Sequence, residues 1–382
     1  MGRPVLRTKL CEMLGIEYPV ILAGMGDVAR AELVAAVSNA GGLGVIGAAI
    51  MAPEELRQEI RKVRELTDRP FGVDLLLPAR PDTPAQAGPS APPEGPRSPR
   101  EVLPEEQRRF VLQLRERFGL PEVAERVPRL ARVGQGSEFI RRQMDVILEE
   151  RVPVFASGLG NPAPYVPELH AQGIKVISLV GNVKNARRVA EGGADIVVAQ
   201  GYDAGGHTGR IGTMSLVPQV VDAVAPVPVV AAGGIGDGRG LAAALCLGAV
   251  GVWVGTAFLV SDEANHDPDL KRRILEATEE DTRLTRIYTG KPVRAIANPL
   301  IEEWERSGVP TLPFPYQPML VHELLVAAEK AGRKELLVNP AGQIAGMMRR
   351  QRPAREILEE MVAQAAEILE RVLPSVVQAS AD

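Results

Sequence analysis

The sequence predicts an α/β protein whose body is a (β/α)8 barrel, or TIM barrel, with an insertion after the third strand and a helical C-terminal region. Eight short apolar runs occur within about 240 residues, and segments with helical periodicity separate most of them. An open doubly wound sheet is the alternative. That fold usually has fewer strands and begins with a GxGxxG turn, which is missing after the first run.

Each predicted strand is a short, nearly all-apolar run that contains β-branched residues, as expected of strands buried on both faces. In chain order, the runs are "PVILAG" (19–24), "LGVIGA" (43–48), "FGVDLLL" (71–77), "VPVFASG" (152–158), "KVISLVG" (175–181), "DIVVAQG" (195–201), "VPVVAAGG" (227–234) and "VGVWVGT" (250–256).

The intervening segments have the spacing of amphipathic helices. In "RAELVAAVSNAGG" (30–42), Leu33, Val34 and Val37 line one face, and a glycine pair ends the helix. The segment "NVKNARRVAEGGA" (182–194) follows the same plan. Strand and helix therefore alternate along most of the predicted barrel, which comprises residues 1–77 and 138–262.

Residues 78–137 interrupt this alternation. The stretch "PARPDTPAQAGPSAPPEGPRSP" is too rich in proline for a regular element, and the charged helical sequence "EEQRRFVLQLRERFG" follows it. We expect a solvent-exposed linker and then one or two helices, which either cap the barrel mouth or form a plain surface excursion. Residues 263–382 are predicted to be mainly helical, and the amphipathic segment 353–373 is expected to pack on the barrel or in a dimer contact.

Composition excludes several classes of function. The 44 basic and 48 acidic residues nearly cancel, and no basic patch indicates nucleic-acid binding. No apolar run approaches the roughly 18 residues that span a bilayer, and the N-terminus lacks a signal-peptide pattern. Cys11 and Cys246 are isolated, which argues against a structural metal site and fits a reducing compartment. We expect a cytoplasmic protein without membrane or nucleic-acid partners; a homodimer is left open.

Two glycine-rich turns follow the seventh and eighth predicted strands, where TIM barrels often bind phosphate. They read "AAGGIGDGRG" (231–240) and "GTAF" (255–258). Gly233 and Gly234 can point backbone N–H groups at an anion, the helix that begins near Gly238 adds its positive end, and Thr256 supplies a hydroxyl. The pair of turns predicts a bound phosphate group.

A third glycine-rich stretch follows the sixth predicted strand and contains one of the four histidines. In "AQGYDAGGHTGRIGTMSL" (199–216), Gly205 and Gly206 precede His207. Glycine lets the backbone turn sharply and pass close to a ligand. A histidine in such a loop has no core face to occupy, so we predict that His207 is catalytic.

Further residues at the strand ends face the same barrel mouth. A phosphate site on one side and backbone-rich edges on the other suit a mononucleotide with a flat ring, and flavin mononucleotide (FMN) fits best. Met25, Gly26 and Asp74 are predicted to contact the cofactor on one side, and Gly233, Gly234 and Thr256 on the phosphate side. No metal site is predicted.

Several of these segments resemble the nitronate monooxygenases, a family of FMN-binding barrels related to flavin-type enoyl-acyl-carrier-protein reductases and NADH:quinone reductases. The segments that carry the resemblance are "AGM", "VSNAGGLGVIG", "DRPFGVDLLL", "GNPAPYVPELHAQGIKVI", "GADIVVAQGYDAGGHTG", "VPVVAAGGIGDGRGLAAALCLGAVGVWVGTAFL" and "VRAIANPLIEEWE". The resemblance implies that His207 lies beside the flavin ring and the substrate. It also implies that Gly205 and Gly206 let the chain pass close to the ring and that Gly255 is a phosphate binder like its neighbour Thr256. Gly24 and Gln200 complete the predicted cofactor-binding residues. Family members commonly carry asparagine where this chain has Asp74, and a carboxylate there would oppose the anionic reduced flavin unless it is protonated or paired. Either Asp74 turns away from the ring, or the redox balance of the flavin differs in this protein.

Two activities follow from the resemblance. The first is FMN-dependent oxidation of alkyl nitronates or nitroalkanes by molecular oxygen to carbonyl compounds and nitrite, with His207 as base or hydrogen-bond donor. The alternative is an NAD(P)H-dependent FMN reductase that acts on a quinone or an enoyl-acyl-carrier-protein thioester. Both use a small-molecule substrate, and the sequence does not identify the physiological one.

Overall fold

The computed structural model of the chain describes residues 6–77, 103–123 and 137–377. The proline-rich stretch that the sequence predicts to be a linker lies outside these residues. Within them, no helix is both long enough and apolar enough to cross a membrane.

Eight parallel strands form the barrel, which confirms the predicted fold. The two-residue strand β7 (Gly206–His207) lies outside the barrel. The barrel strands are β1 (Val20–Leu22), β2 (Gly44–Gly47), β3 (Phe71–Leu76), β4 (Val154–Leu159), β5 (Lys175–Val180), β6 (Ile196–Gln200), β8 (Val229–Ala232) and β9 (Val252–Val254). The seventh and eighth predicted strands are therefore β8 and β9.

The sheet closes on itself between its first and last strands. Its order is β1-β9-β8-β6-β5-β4-β3-β2, with every pair parallel. Ile21 of β1 then bridges to Leu43, just before β2. The amide of Leu22 donates to the carbonyl oxygen of Leu43 at 2.9 Å, and the amide of Leu43 donates to that of Val20 at 3.0 Å.

Helices surround the barrel and continue into the C-terminal region. In the described residues they are α1 (Lys9–Leu14), α2 (Ala31–Asn39), α3 (Pro53–Leu66), α4 (Glu105–Arg117), α5 (Ser137–Glu149), α6 (Val166–Ala171), α7 (Val183–Glu191), α8 (Thr213–Val224), α9 (Gly238–Cys246), α10 (Thr256–Leu259), α11 (Pro268–Glu276), α12 (Pro299–Ser307), α13 (Tyr316–Lys330), α14 (Ala354–Glu367) and α15 (Leu373–Val376).

The strands bury alternate side chains on their two faces. Val20 and Leu22 belong to the large cluster between strands and helices, whereas Ile21 belongs to a smaller cluster inside the barrel. Leu10 and Leu14 of α1 join the inner cluster, so this short helix packs against the barrel interior. This double burial explains why the strands read as continuous apolar runs.

The C-terminal region contains a sheet that the sequence does not reveal. Strands β10 (Thr282–Thr285) and β11 (Val293–Ile296) pair antiparallel, and β11 also pairs with β7. The expectation of a mainly helical region is therefore incomplete. The four-residue sequence "TRLT" of β10 is mostly polar and does not have the pattern of a buried strand.

The helix of the insertion packs on the C-terminal region. Val111 and Leu114 of α4 share a second core with α12 and α13, and the Phe110 and Trp304 rings form a T-shaped pair with 5.1 Å between centroids. No residue from 103–123 lines the large cavity at the barrel mouth. The described part of the insertion thus packs on the C-terminal region and contributes nothing to the cavity wall.

The amphipathic helix near the C-terminus packs on the barrel body, as one of the two expectations had it. Leu358 and Met361 of α14 belong to the large core cluster. Gly238, at the start of α9, allows this contact, since a Cβ there would lie 2.5 Å from both the amide nitrogen of Ala365 and the carbonyl oxygen of Met361.

Candidate active site

A cavity of about 990 Å³ lies at the carboxyl ends of the barrel strands. All twelve residues predicted from the sequence line it: Gly24, Met25, Gly26, Asp74, Gln200, Gly205, Gly206, His207, Gly233, Gly234, Gly255 and Thr256. A smaller surface pocket of about 440 Å³ lies beside it and shares Gly209, Arg210 and Pro292. The larger cavity collects the strand ends and is the candidate active site.

Three contacts hold His207 at the cavity wall. Its strand, β7, pairs with β11, which places His207 opposite Val293. The side-chain amide of Gln200 donates to the carbonyl oxygen of His207 at 2.7 Å. The ring atom Nε2 lies 3.0 Å from Oγ1 of Thr289, a buried residue. Both the backbone and the ring of His207 are therefore positioned.

The environment keeps the His207 ring neutral. Burial, with a smaller contribution from the positive charge of Lys291, lowers the pKa of His207 to about 4. Oγ1 of Thr289 also donates to the carbonyl oxygen of Lys291 at 3.2 Å. When the hydroxyl proton of Thr289 is used in that bond, Oγ1 can only accept from His207. Nε2 of His207 then donates to Oγ1, and Nδ1 carries the lone pair. A neutral ring of this tautomer can accept a proton at Nδ1.

Gly205 and Gly206 serve different purposes in the loop. A Cβ at Gly205 would lie 2.6 Å from the carbonyl carbon of Ala341 and 2.7 Å from the amide nitrogen of Gly342, so glycine here permits a close chain crossing. Gly206 has φ +69°, and a Cβ there would meet nothing within 4 Å. Its backbone conformation favours glycine, while the space beside it is open.

The turn after β8 offers free donors. Gly233 and Gly234 have φ values of +95° and +71°. Within the described chain, neither amide donates a hydrogen bond to the protein. The Thr256 hydroxyl accepts from the amide of Gly342 at 2.9 Å and keeps its own proton for donation. These groups can together hold an anion.

The start of α9 does not join this set. The amide of Gly238 donates to Oε1 of Gln364 at 2.7 Å, and the Asp237 carboxylate caps the amide of Arg239 at 2.9 Å. The first donors of the helix are already used, and Gly238 does not line the cavity. The expected contribution of this helix to a phosphate site is therefore wrong.

Asp74 lies at the cavity wall with one carboxyl oxygen unpaired. The residue is 6% exposed, and its buried atom Oδ1 has no hydrogen-bond partner. Burial raises its pKa well above the ordinary value, and a backbone contact with Gly158 acts in the opposite direction. Burial thus favours the neutral form of this carboxyl over the charged one.

Lys291 and His266 are cavity residues that the sequence prediction missed. Lys291 stays in contact with solvent at the cavity edge, where the surrounding atoms lower its pKa, and its ammonium lies 4.8 Å from the centroid of Phe314. His266 also lines the cavity, and its Nε2 lies 3.1 Å from Oδ1 of Asn339. Both come from the C-terminal region, and no local motif marks them. The segment "NPAGQIAGMM" (339–348) also contributes Gly342 and Ile344 to the cavity wall.

Comparison with known proteins identifies the family. The family model described as nitronate monooxygenase matches residues 7–364. Rv1533 of Mycobacterium tuberculosis, whose name describes a monooxygenase, is 40% identical over 368 residues, which cover 94% of this chain and 96% of that protein.

Two solved structures share the fold over nearly the whole chain. Nitroalkane oxidase from Streptomyces ansochromogenes is 32% identical, with a TM-score of 0.78 and coverage of 95% of this chain and 99% of its own. FabK from Thermotoga maritima is also 32% identical, with a TM-score of 0.74 and coverage of 97% and 99%. A barrel whose cavity collects the predicted residues and a family match over most of its length lead to one conclusion: the chain belongs to the nitronate monooxygenase family.

Proposed function

We propose that this enzyme uses FMN to oxidise alkyl nitronates or nitroalkanes with molecular oxygen, giving carbonyl compounds and nitrite. The family consists of flavin-dependent oxidoreductases. The observation that carries the proposal is that the neutral ring of His207 and the ammonium group of Lys291 line the same cavity. In the described residues, Lys291 forms no ion pair with a carboxylate. Such a cavity suits a small substrate that is an anion or becomes one on losing a proton.

The lining residues fit a flavin. Gly26 and Gly206 face open space, since a Cβ at either would meet no atom within 4 Å, and this leaves room for a flat ring. The free amides of Gly233 and Gly234 and the hydroxyl of Thr256 would hold the single phosphate group of FMN. The absence of a dinucleotide fingerprint after the first strand favours FMN over FAD.

Bound FMN would supply the redox chemistry, taking electrons from the substrate and passing them to oxygen. His207 would act as the base that removes the α-proton of a neutral nitroalkane, because its ring is uncharged at neutral pH. Lys291 would attract the resulting nitronate, or one taken up from solution, toward the cavity. Thr289 would keep the His207 ring oriented during the transfer.

An NAD(P)H-dependent reductase is the second candidate. Its support is the match to FabK, an enoyl-acyl-carrier-protein reductase, which extends over almost the full length of both chains. The same barrel and flavin would serve this reaction, with a nicotinamide as electron donor and a quinone or enoyl thioester as acceptor. The two candidates thus differ in what reduces the flavin.

Anaerobic rapid mixing separates them. The flavin-loaded protein is mixed with an alkyl nitronate, with NADH or with NADPH, and loss of the oxidised flavin absorbance is followed. We expect the nitronate to bleach the flavin and the nicotinamides to leave it oxidised, and readmitted oxygen to yield nitrite. Rapid bleaching by a nicotinamide, with no reaction of the nitronate, would establish the reductase instead.

A further inference from the structure

Asp74 is wedged between two glycines at the cavity wall. A Cβ at Gly24 would lie 2.3 Å from the Cβ of Asp74 and 2.5 Å from its Oδ2, and one at Gly158 would lie 3.0 Å from both carboxyl oxygens. The side chain thus fills a slot between the ends of β1 and β4. It has little room to move away from the cavity.

No charged partner compensates this carboxyl within the described residues. Its neighbours in the strand register are Gly47 on β2 and Ala156 on β4, neither of which can ionise. No charged side chain contributes to the shift in its pKa, which comes from burial opposed by the Gly158 backbone. Oδ1 is buried and has no hydrogen-bond partner, so Oδ2 is the oxygen through which Asp74 lines the cavity.

The position of β3 indicates which part of a flavin would meet Asp74. In the closed ring of eight strands, β3 is four strands from β8 in either direction. Asp74 therefore lies across the cavity from Gly233 and Gly234, the groups suited to phosphate. An anionic phosphate would also avoid a carboxyl. With phosphate at β8, the flavin ring is the part that extends toward β3.

We propose that Asp74 binds the flavin ring only as the neutral acid, donating the proton of its carboxyl to an acceptor atom on the ring, so that flavin binding is coupled to a proton. The proposal rests on the flavin assignment made above. Asparagine, common at this position in the family by resemblance, donates through an amide whose hydrogens do not titrate. Asp74 would make the same contact pH-dependent.

The sign of the coupling follows from the neutral acid being the binding form. Flavin affinity is full below the pKa of Asp74 in the flavin-free protein and falls as pH rises through it. Each pH unit beyond that point raises the dissociation constant by up to about tenfold, until the pKa of the bound form is reached.

Riboflavin is the probe that isolates this effect. The phosphate of FMN titrates near pH 6 like other phosphate monoesters, and its dianion should bind more tightly as pH rises, which opposes the expected trend. Riboflavin lacks that group. Its dissociation constant is measured by fluorescence quenching on flavin-free protein from pH 5 to 9, for the wild type, for Asp74→Asn and for Asp195→Asn. Asp195 is a carboxylate at the opposite end of the barrel, hydrogen-bonded to the amide of Val176.

We expect the riboflavin dissociation constant to rise with pH for the wild type and Asp195→Asn and to stay flat for Asp74→Asn. Calorimetry of the wild type in two buffers of different ionisation enthalpy should show uptake of up to one proton per flavin at high pH, independently of any variant. A flat wild-type profile without proton uptake, or a slope that persists in Asp74→Asn, overturns the proposal. If neither riboflavin nor FMN binds at any pH, the flavin assignment itself fails.

Discussion

The side-chain amide of Gln200 donates a 2.7 Å hydrogen bond to the carbonyl oxygen of His207. Gln200 is the last residue of β6, so the rigid barrel holds the backbone of the loop residue whose ring faces the cavity. The ring itself is held by Thr289, which lies in the C-terminal region. Position and orientation of His207 thus come from two separate parts of the chain.

Replacing His207 by alanine should reduce turnover of neutral nitroalkanes by about 10²–10⁴, the usual contribution of a positioned base. Preformed nitronates need no deprotonation and should be affected less. Flavin affinity and the thermal unfolding midpoint should change little, because the loop backbone is held by Gln200 and by β11. Stopped-flow flavin reduction with both substrate forms checks this, alongside thermal unfolding. A variant that melts early yet turns over normally would contradict the catalytic assignment.

The lowered pKa of His207 predicts a loss of stability in acid. The unfolded chain takes up this proton near pH 6.5 and the folded chain only near pH 4, so the free energy of unfolding falls as pH drops through this window and is full above it. At about 1.4 kcal/mol per pKa unit, the loss is about 3 kcal/mol.

His207→Gln lacks this ionisation and should lose correspondingly less stability. Urea unfolding of both proteins, free of flavin, at pH 7.5 and pH 4.5 measures the difference. All other ionisable groups are common to both proteins, so their contributions cancel. An equal acid loss in the two proteins would mean that His207 is not held neutral by the fold.

Replacing Lys291 by methionine should raise the KM for nitronates by about three- to tenfold, since a cation at the cavity edge attracts anionic substrates. Lys291→Arg retains the charge and should stay near the wild-type value. The difference between lysine and methionine should shrink as ionic strength rises, and neutral nitroalkanes should show little of it. Steady-state kinetics at two salt concentrations provide the measurement. A salt-independent effect of equal size on both substrates would indicate lost packing instead.

Alanine at Gly205 and at Gly206 should destabilise the protein for different reasons and to different extents. At Gly205 the new Cβ would meet the backbone of Ala341 and Gly342 at 2.6–2.8 Å, so we expect a clear drop in the unfolding midpoint. At Gly206 there is no clash, and the left-handed conformation alone costs about 1–2 kcal/mol.

If Gly206 borders the flavin ring, Gly206→Ala should also weaken flavin binding by more than its stability loss explains. Flavin titration of the folded variant, set against the Gly205 variant, separates the two effects. Flavin affinity equal to that of the wild type would place the ring elsewhere in the cavity.

The barrel could be predicted because its strands are buried on both faces and separated by amphipathic helices. Strand β10 could not, since its polar residues follow no such pattern and its partner is another short strand. The cavity could also be predicted, from the glycine-rich strand ends, because backbone that turns sharply beside a ligand needs glycine at that position. Lys291, in contrast, lies 84 residues beyond His207, and only the pairing of β11 with β7 brings the two together.

The sequence also could not predict that Asp74 has no charged neighbour in the strands beside it. The residue type suggests a conflict with a reduced flavin, but whether a cation lies beside it depends on strands distant in the chain. The structure places non-ionisable Gly47 and Ala156 there. Burial, rather than a partner, then decides the state of the carboxyl.

The pairing of β7 with β11 has a consequence for the order in which the protein matures during synthesis. Every barrel strand has been made once Val254 leaves the ribosome, and the ring can close at that stage. His207 then still lacks its strand partner, Thr289 and Lys291, which follow some forty residues later. A nascent chain stalled once β9 has left the ribosome would contain all eight barrel strands, while the His207 loop would still lack β11 and Thr289. The barrel can therefore form before the site around His207 is complete.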